Sequence, residues 1–349
     1  MSSPILRAAS NREELLSRLA EAAEVEHNLM CVYLYAAFTL KTDEGDGLTA
    51  PQLEAVRRWR KEIFAVAHEE MVHLLLVCNL MTAIGGAAHF GRLNFPITPG
   101  SLPADMQVRL APFNRETLQH FVWLERPEDV DEPMGAGFEP LQKYARGVAG
   151  GDRLMPHAID YDTVGRLYAQ IEADIDSLVA RLGEEALFIG HRDGQIDKRF
   201  IGLDGVTKVI CAKTAHQAIQ GIVAQGESAR DPNVKSHYKR FCAVRAEYAR
   251  LLAEDPGFAP GRPAAHNPVM RRPPTPEGKV FIEAPEAAAA VDLANAVYAQ
   301  MLRLLIQSFG RVGPEAEKAA LIDASVDLMF ALTAVAEHAT TLPARPGDG

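Results

Sequence analysis

The chain is 349 residues long, 48% hydrophobic and 23% charged, which allows a large core and excludes wholesale disorder. Its formal net charge of −10 argues against a general nucleic-acid binder, because phosphate contacts need clustered Lys and Arg. The four cysteines, Cys31, Cys78, Cys211 and Cys242, show no CxxC spacing, so buried thiols in a reducing compartment are expected rather than disulfides.

The N-terminal MSSPILRAASNREELL lacks the apolar core of a signal peptide. No apolar run approaches the roughly 18 residues of a membrane span, so a cytoplasmic protein without a membrane partner is expected.

The first helix is predicted from about Glu13 to Leu40. It places Leu15, Leu19, Ala22, Glu26, Met30 and Tyr33 on one stripe at three- and four-residue steps. A second begins after TAPQ, with Pro51 suited to a first turn, and runs to Ile84 before Gly85-Gly86. From Ala87 to about Asp160 turn formers dominate, and only NRETLQHFVWLE, residues 114–125, reads as a short helix. That length without regular structure suggests a crossover draped over a bundle.

A third long helix follows from about Thr163 to Gly183, with Val164, Tyr168, Ile171, Ile175, Leu178 and Leu182 as its stripe. ALFIGHRDGQIDKRF reads as a small hairpin with DG at its turn. A fourth helix spans about Thr207 to Gly226, Pro232 interrupts it, and SHYKRFCAVRAEYARLL resumes the pattern. Residues 255–285 are proline-rich, and two helices, about Glu286–Phe309 and Pro314–Thr341, close the chain.

The stretch HEEMVH at residues 68–73 carries the chemistry. A zinc protease needs two histidines four apart on one helix face, whereas His68 and His73 are five apart, about 140° around a helix. A zinc-protease site is thereby excluded. Glu70 and His73 are three apart, the Glu-x-x-His spacing by which di-metal carboxylate bundles project a carboxylate and an imidazole inward together. Both fall on the apolar stripe of the second helix with Ile63, Val66 and Val77, while His68 and Glu69 are expected to point elsewhere. A lone ExxH is also compatible with a solvated polar patch, but burying Glu and His without partners costs several kcal/mol, on the order of 2–7. A metal would offset that cost.

Such a bundle needs a lone glutamate from neighbouring helices. Glu26 sits between Ala22 and Met30 on the first stripe, and Glu172 lies among Tyr168, Ile175 and Val179 on the third; pairing with arginine is the alternative for each. No second ExxH is present. Glu227 and His237 are ten residues apart, about 15 Å on a continuous helix. Gly226, Asp231 and Pro232 break that helix, so an ExxH with seven residues looped out would return His237 to Glu227. His216 is the rival imidazole, better read as a satisfied histidine. Tyr33, Tyr35, Tyr168 and Tyr238 lie near the candidate ligands, mostly as core aromatics, with room for one hydrogen-bond donor to the site. His27, beside Glu26, is expected to face away.

AEVEHNLMCVYLYA, HEEMVHLLLVCNLMTAIGG, FPITPGSLP, LYAQIEADI, AIQGIVAQGE and SHYKRF together resemble the ferritin-like family named after the iminophenyl-pyruvate dimer synthases of violacein- and rebeccamycin-type pigment pathways. The resemblance runs from about residue 11 to 342. It implies an all-α ferritin-like four-helix bundle with a long crossover, a small β-hairpin insertion and two extra C-terminal helices. The bundle would span residues 11–254 including the crossover 87–160, with a linker or wrap over 255–285 and a helical pair over 286–341 packed on it. Carried onto this sequence, the family's metal ligands would be Glu26, Glu70, His73, Glu172, Glu227 and His237.

The cofactor implied is two metal ions, iron first and manganese as the alternative, since carboxylates with few imidazoles suit these better than zinc or copper. The function expected is a di-iron oxidoreductase or oxygenase acting on a small organic substrate with dioxygen. A non-catalytic iron-handling protein is the alternative. An oligomer is compatible with either. The pigment-pathway members are longer multidomain chains, so imine dimerisation does not carry over from the resemblance.

Overall fold

Asn11 starts the bundle: its side-chain oxygen accepts the Glu14 N–H at 2.8 Å and caps α1, Arg12–Phe38. The structure, a computed structural model, describes residues 8–92, 94–95, 97, 102–103, 106–139, 160–227, 235–274 and 277–347, without the side chain of Glu227. After a short turn Thr49 N–H meets the Gln52 side chain at 2.9 Å, opening α2, Ala50–Ala83, with Pro51 in its first turn. Both helices run unbroken and pack along each other as one half of the bundle.

The other half is made of interrupted helices. Asn114 caps α3, Arg115–Leu124; Thr163 caps α4, Val164–Leu182. Two single-turn helices follow, α5 at Glu184–Leu187 and α6 at Lys198–Ile201, and then α7 at Ala212–Glu227. Ser236 accepts the Lys239 N–H and starts α8, His237–Glu254. α3 packs on α8, and α4 packs on α7. The helix read as part of a draped crossover is therefore a bundle element, because Leu118, Phe121 and Val122 give it an apolar face to bury.

Two features differ from expectation. The segment read as a β-hairpin forms α5, a 3-10 turn at Arg192–Gly194 and α6. The small sheet lies instead in the proline-rich segment, where β1, Pro268–Val269, pairs in parallel with β2, Val280–Phe281. The chain ends in α9, Pro285–Ser308, and α10, Glu315–Thr341, which pack on each other, with α10 touching α1 and α6.

The expectation about membrane-length segments is overturned. By length and composition α2, α9 and α10 are each apolar enough to cross a membrane. Scattered charges such as Asp323 and Asp327 interrupt the apolar run in α10 without lowering its average far. Burial accounts for α2, whose most apolar window is 72% buried, whereas the windows of α9 and α10 are each 11% buried.

Candidate metal centre

Glu26 of α1, Glu70 and His73 of α2, Glu125 at the C-terminal cap of α3 and His237 at the first residue of α8 converge in the bundle, all buried. They form two groups whose ligand atoms lie within 4.8 Å of one another: Glu26, Glu70 and His73, and Glu70, Glu125 and His237. Glu70 belongs to both. The centre lies at the level where the second half of the bundle is interrupted, so α3 contributes its last turn and α8 its first.

Both imidazoles are turned the same way. His73 Nδ1 is 2.9 Å from Glu70 Oε2 and 3.4 Å from Glu26 Oε2, while Nε2 meets Gln225 Oε1 at 2.9 Å. His237 Nδ1 is 3.0 Å from Glu70 Oε1 and 3.5 Å from Glu125 Oε2, while Nε2 meets Glu69 Oε2 at 2.9 Å. The rings stack with centroids 5.5 Å apart. Glu69 also accepts from Arg240 at 2.8 Å. Each ring thus aims one nitrogen at the carboxylates and has the other fixed by an outer side chain, the arrangement that orients metal-bound histidines.

The carboxylates are held from behind as well. Tyr168 donates to Glu26 at 2.5 Å, and Tyr33 donates to Glu125. Burial, then the charge of Glu70, raises Glu26 from 4.5 to about 7. Burial opposes charge on His73, but its bonds to Glu26 and Glu70 outweigh this and raise it from 6.5 to about 10. For His237 burial again works downward, and the Glu70 and Glu125 charges carry it well above its ordinary value. Protons therefore sit where cations would bind, and cation uptake must displace them.

Three buried carboxylates and two imidazoles are a donor set that could hold a metal ion. His237 Nδ1 is buried and makes no hydrogen bond of acceptable geometry despite carboxylate oxygens 3.0 and 3.5 Å away. An atom aimed between two carboxylates but bonded to neither is placed for an ion.

Of the six ligands expected from sequence, the structure brings together Glu26, Glu70, His73 and His237. Glu172 is not among them. It is half-exposed and accepts from His216 Nδ1 at 3.0 Å, because it lies one position off the buried Ile171 stripe. His216 is satisfied there, with Asp176 on its other nitrogen at 2.8 Å. Glu227 ends α7, but its side chain lies outside the described residues, as does Pro232. Glu125 was missed, although Leu118, Phe121, Val122 and Glu125 continue one stripe at three- and four-residue steps. Glu69, expected to point away, fixes His237 instead.

A cavity of about 20 Å³ adjoins the centre, with Val164, Gly165, Val223 and Gly226 on the side of the helix interruption.

Residues 19–246 match the family model described as Ferritin-like. The chain is 28% identical to dichlorochromopyrrolate synthase of Lentzea aerocolonigenes over 96% of its own length and 35% of that protein's. It is 27% identical to 2-imino-3-(indol-3-yl)propanoate dimerase of Chromobacterium violaceum, over 92% of this chain and 31% of the relative. These relatives match the synthase type that the sequence motifs resemble, and the chain spans about a third of their length. A solved ferritin-like protein from Caulobacter vibrioides superposes with a TM-score of 0.52 at 18% identity, covering 94% of this chain and 99% of that one. At that identity the likeness concerns the fold.

Proposed function

Because this chain belongs to the Ferritin-like family, we propose that it is a di-metal carboxylate oxidoreductase, with iron the preferred metal, acting on a small organic substrate with dioxygen. The observation that carries this is the sharing of Glu70 between two buried carboxylate–imidazole groups. Glu26 and His73 would hold one metal, Glu125 and His237 the other, and Glu70 both. Glu227, next to Gly226 of the small cavity, is proposed as a sixth ligand.

When bound, a pair of such metals supplies redox chemistry with dioxygen. The chain's own residues do the rest. Glu69 and Gln225 fix the two rings so that Nδ1 faces the centre. Tyr33 and Tyr168 hold one oxygen each of Glu125 and Glu26, leaving the other toward the metals. Buried walls exclude bulk water, which keeps these charge interactions strong. Substrate would approach on the side of Gly165 and Gly226, which line the small cavity beside the centre. A small aromatic or amino-acid-derived substrate is supported by the names of the two relatives, which are a synthase of dichlorochromopyrrolate and a dimerase of an indolyl imine.

The test is metal analysis of protein purified aerobically, followed by oxygen uptake with aromatic amino-acid-derived imines and keto acids. About two irons per chain and substrate-dependent oxygen uptake are expected. Two irons without uptake on any such substrate would favour the iron-handling alternative. Protein that takes up no iron or manganese would refute the proposal.

A further inference from the structure

The two carboxylate–imidazole groups that share Glu70 are close copies of each other. Each adds one glutamate of its own, held from behind by a tyrosine: Tyr168 on Glu26 and Tyr33 on Glu125. Each adds one buried imidazole that turns Nδ1 toward the carboxylates. The separations nearly repeat, 2.9 and 3.4 Å for His73 against 3.0 and 3.5 Å for His237. Among the described side chains two differences remain.

The first is what stands behind each ring. His73 Nε2 meets the amide oxygen of Gln225 at 2.9 Å, an uncharged acceptor. His237 Nε2 meets a carboxylate oxygen of Glu69, also at 2.9 Å. A carboxylate accepts a stronger hydrogen bond than an amide, and it makes the ring a stronger electron donor at its other nitrogen. Glu69 is itself fixed. Its second oxygen accepts from Arg240 Nη1 at 2.8 Å, and Arg240 Nε donates to Glu62 at 3.0 Å. His237 and Arg240 are three residues apart at the start of α8, on one face of the helix, so Glu69 ties that first turn to α2 at two points. His73 leaves the interior of the 34-residue α2 and needs no such tie.

The second difference is at Nδ1. His73 Nδ1 is hydrogen-bonded to Glu70 Oε2 at 2.9 Å, whereas His237 Nδ1, also buried, makes no hydrogen bond of acceptable geometry. A cation at His73 must displace a buried hydrogen bond; one at His237 displaces none there. Both differences favour the same position.

Given the di-metal carboxylate reading, on which this rests, we propose that the two metal positions are unequal. The one at Glu70, Glu125 and His237 is the tighter and fills first, and Glu69 and Arg240 are the positioning residues that make it so.

The test is an anaerobic calorimetric titration of the metal-free full chain with ferrous ion, with circular dichroism to confirm the helical fold of each variant. The parent should take up about two ions per chain in two classes. Their dissociation constants should differ about tenfold or more, the range for a side chain hydrogen-bonded behind a metal-bound histidine. His73→Ala should keep the tight class, and His237→Ala only the weak one. Glu69→Gln should loosen the tight class to the level of the weak one. Arg240→Gln should act in the same direction, with Arg240→Lys closer to the parent. A merely structural role for Glu69 and Arg240 would weaken both classes together. Three outcomes would overturn the proposal while leaving the di-metal centre standing: two ions of equal affinity in the parent, a tight class that survives His237→Ala, or equal loosening of both classes by Glu69→Gln. A parent that binds no ferrous ion would refute the di-metal centre and this ordering with it.

Discussion

Glu70 stands between two imidazoles that both turn Nδ1 toward it, and its removal should have the largest effect of any single change. Glu70→Ala is expected to abolish metal binding at both positions, and Glu125→Ala to leave about one metal per chain. Glu172→Ala, which touches only the His216 pair, should leave about two. Elemental analysis of the three purified variants separates these outcomes, and a loss at Glu172 equal to that at Glu125 would contradict the assignment. Behind the ligands, Glu69→Gln removes the anion that fixes His237 and should weaken metal affinity about 10–100-fold. The pH response follows from His73. Its folded value of about 10 lies above the ordinary 6.5, so its protonated form stabilises metal-free protein fully below about pH 6.5, and that contribution is lost as pH rises toward 10. Metal-free protein should therefore melt at progressively lower temperature from pH 7 to 10, while metal uptake tightens over the same interval. Thermal shifts that rise with pH in the metal-free form would contradict this.

Among the helices, α1 and α4 are tied by a buried ion pair between Arg18 and Asp174, which also accepts from Ala9 N–H and Gln170 Nε2, each at 2.8 Å. Asp174→Ala removes the acceptor that Arg18, Ala9 N–H and Gln170 share, and should cost about 3–5 kcal/mol of stability, read from chemical denaturation. The long elements were legible in the sequence because their apolar residues recur at helical steps over many turns: α1, α2, α4, α9 and α10 lie within a few residues of where periodicity puts them. The short elements were not. α3 is only 10 residues long, and its turn-rich surroundings read as a crossover, which hid Glu125 although its stripe is regular. The same interruption bears on Glu172: a continuous third helix would bring its carboxylate from mid-helix, whereas here the end of α3 brings Glu125 to the candidate centre. His237 was singled out because Gly226, Asp231 and Pro232 break the fourth helix in the sequence. Glu69 was misjudged because helix geometry fixes which way a residue leaves its own helix, not what a neighbouring helix brings to meet it.

For the whole molecule, the unbroken pair α1–α2 presents two faces. One carries candidate ligands from both helices to the metal centre, and another forms the floor of a cavity of about 860 Å³ roofed by α9 and α10. The interrupted half of the bundle is what lets a helix end and a helix start meet at the candidate metal centre. Two metals are proposed to lie between Glu26, Glu70 and Glu125, with one histidine each. The most direct measurement is anomalous diffraction at the iron edge from crystals of iron-loaded protein. Two peaks are predicted, one within reach of Glu26, Glu70 and His73 and one within reach of Glu70, Glu125 and His237. A single peak at the Glu172–His216 pair, or no peak beside Glu70, would contradict it.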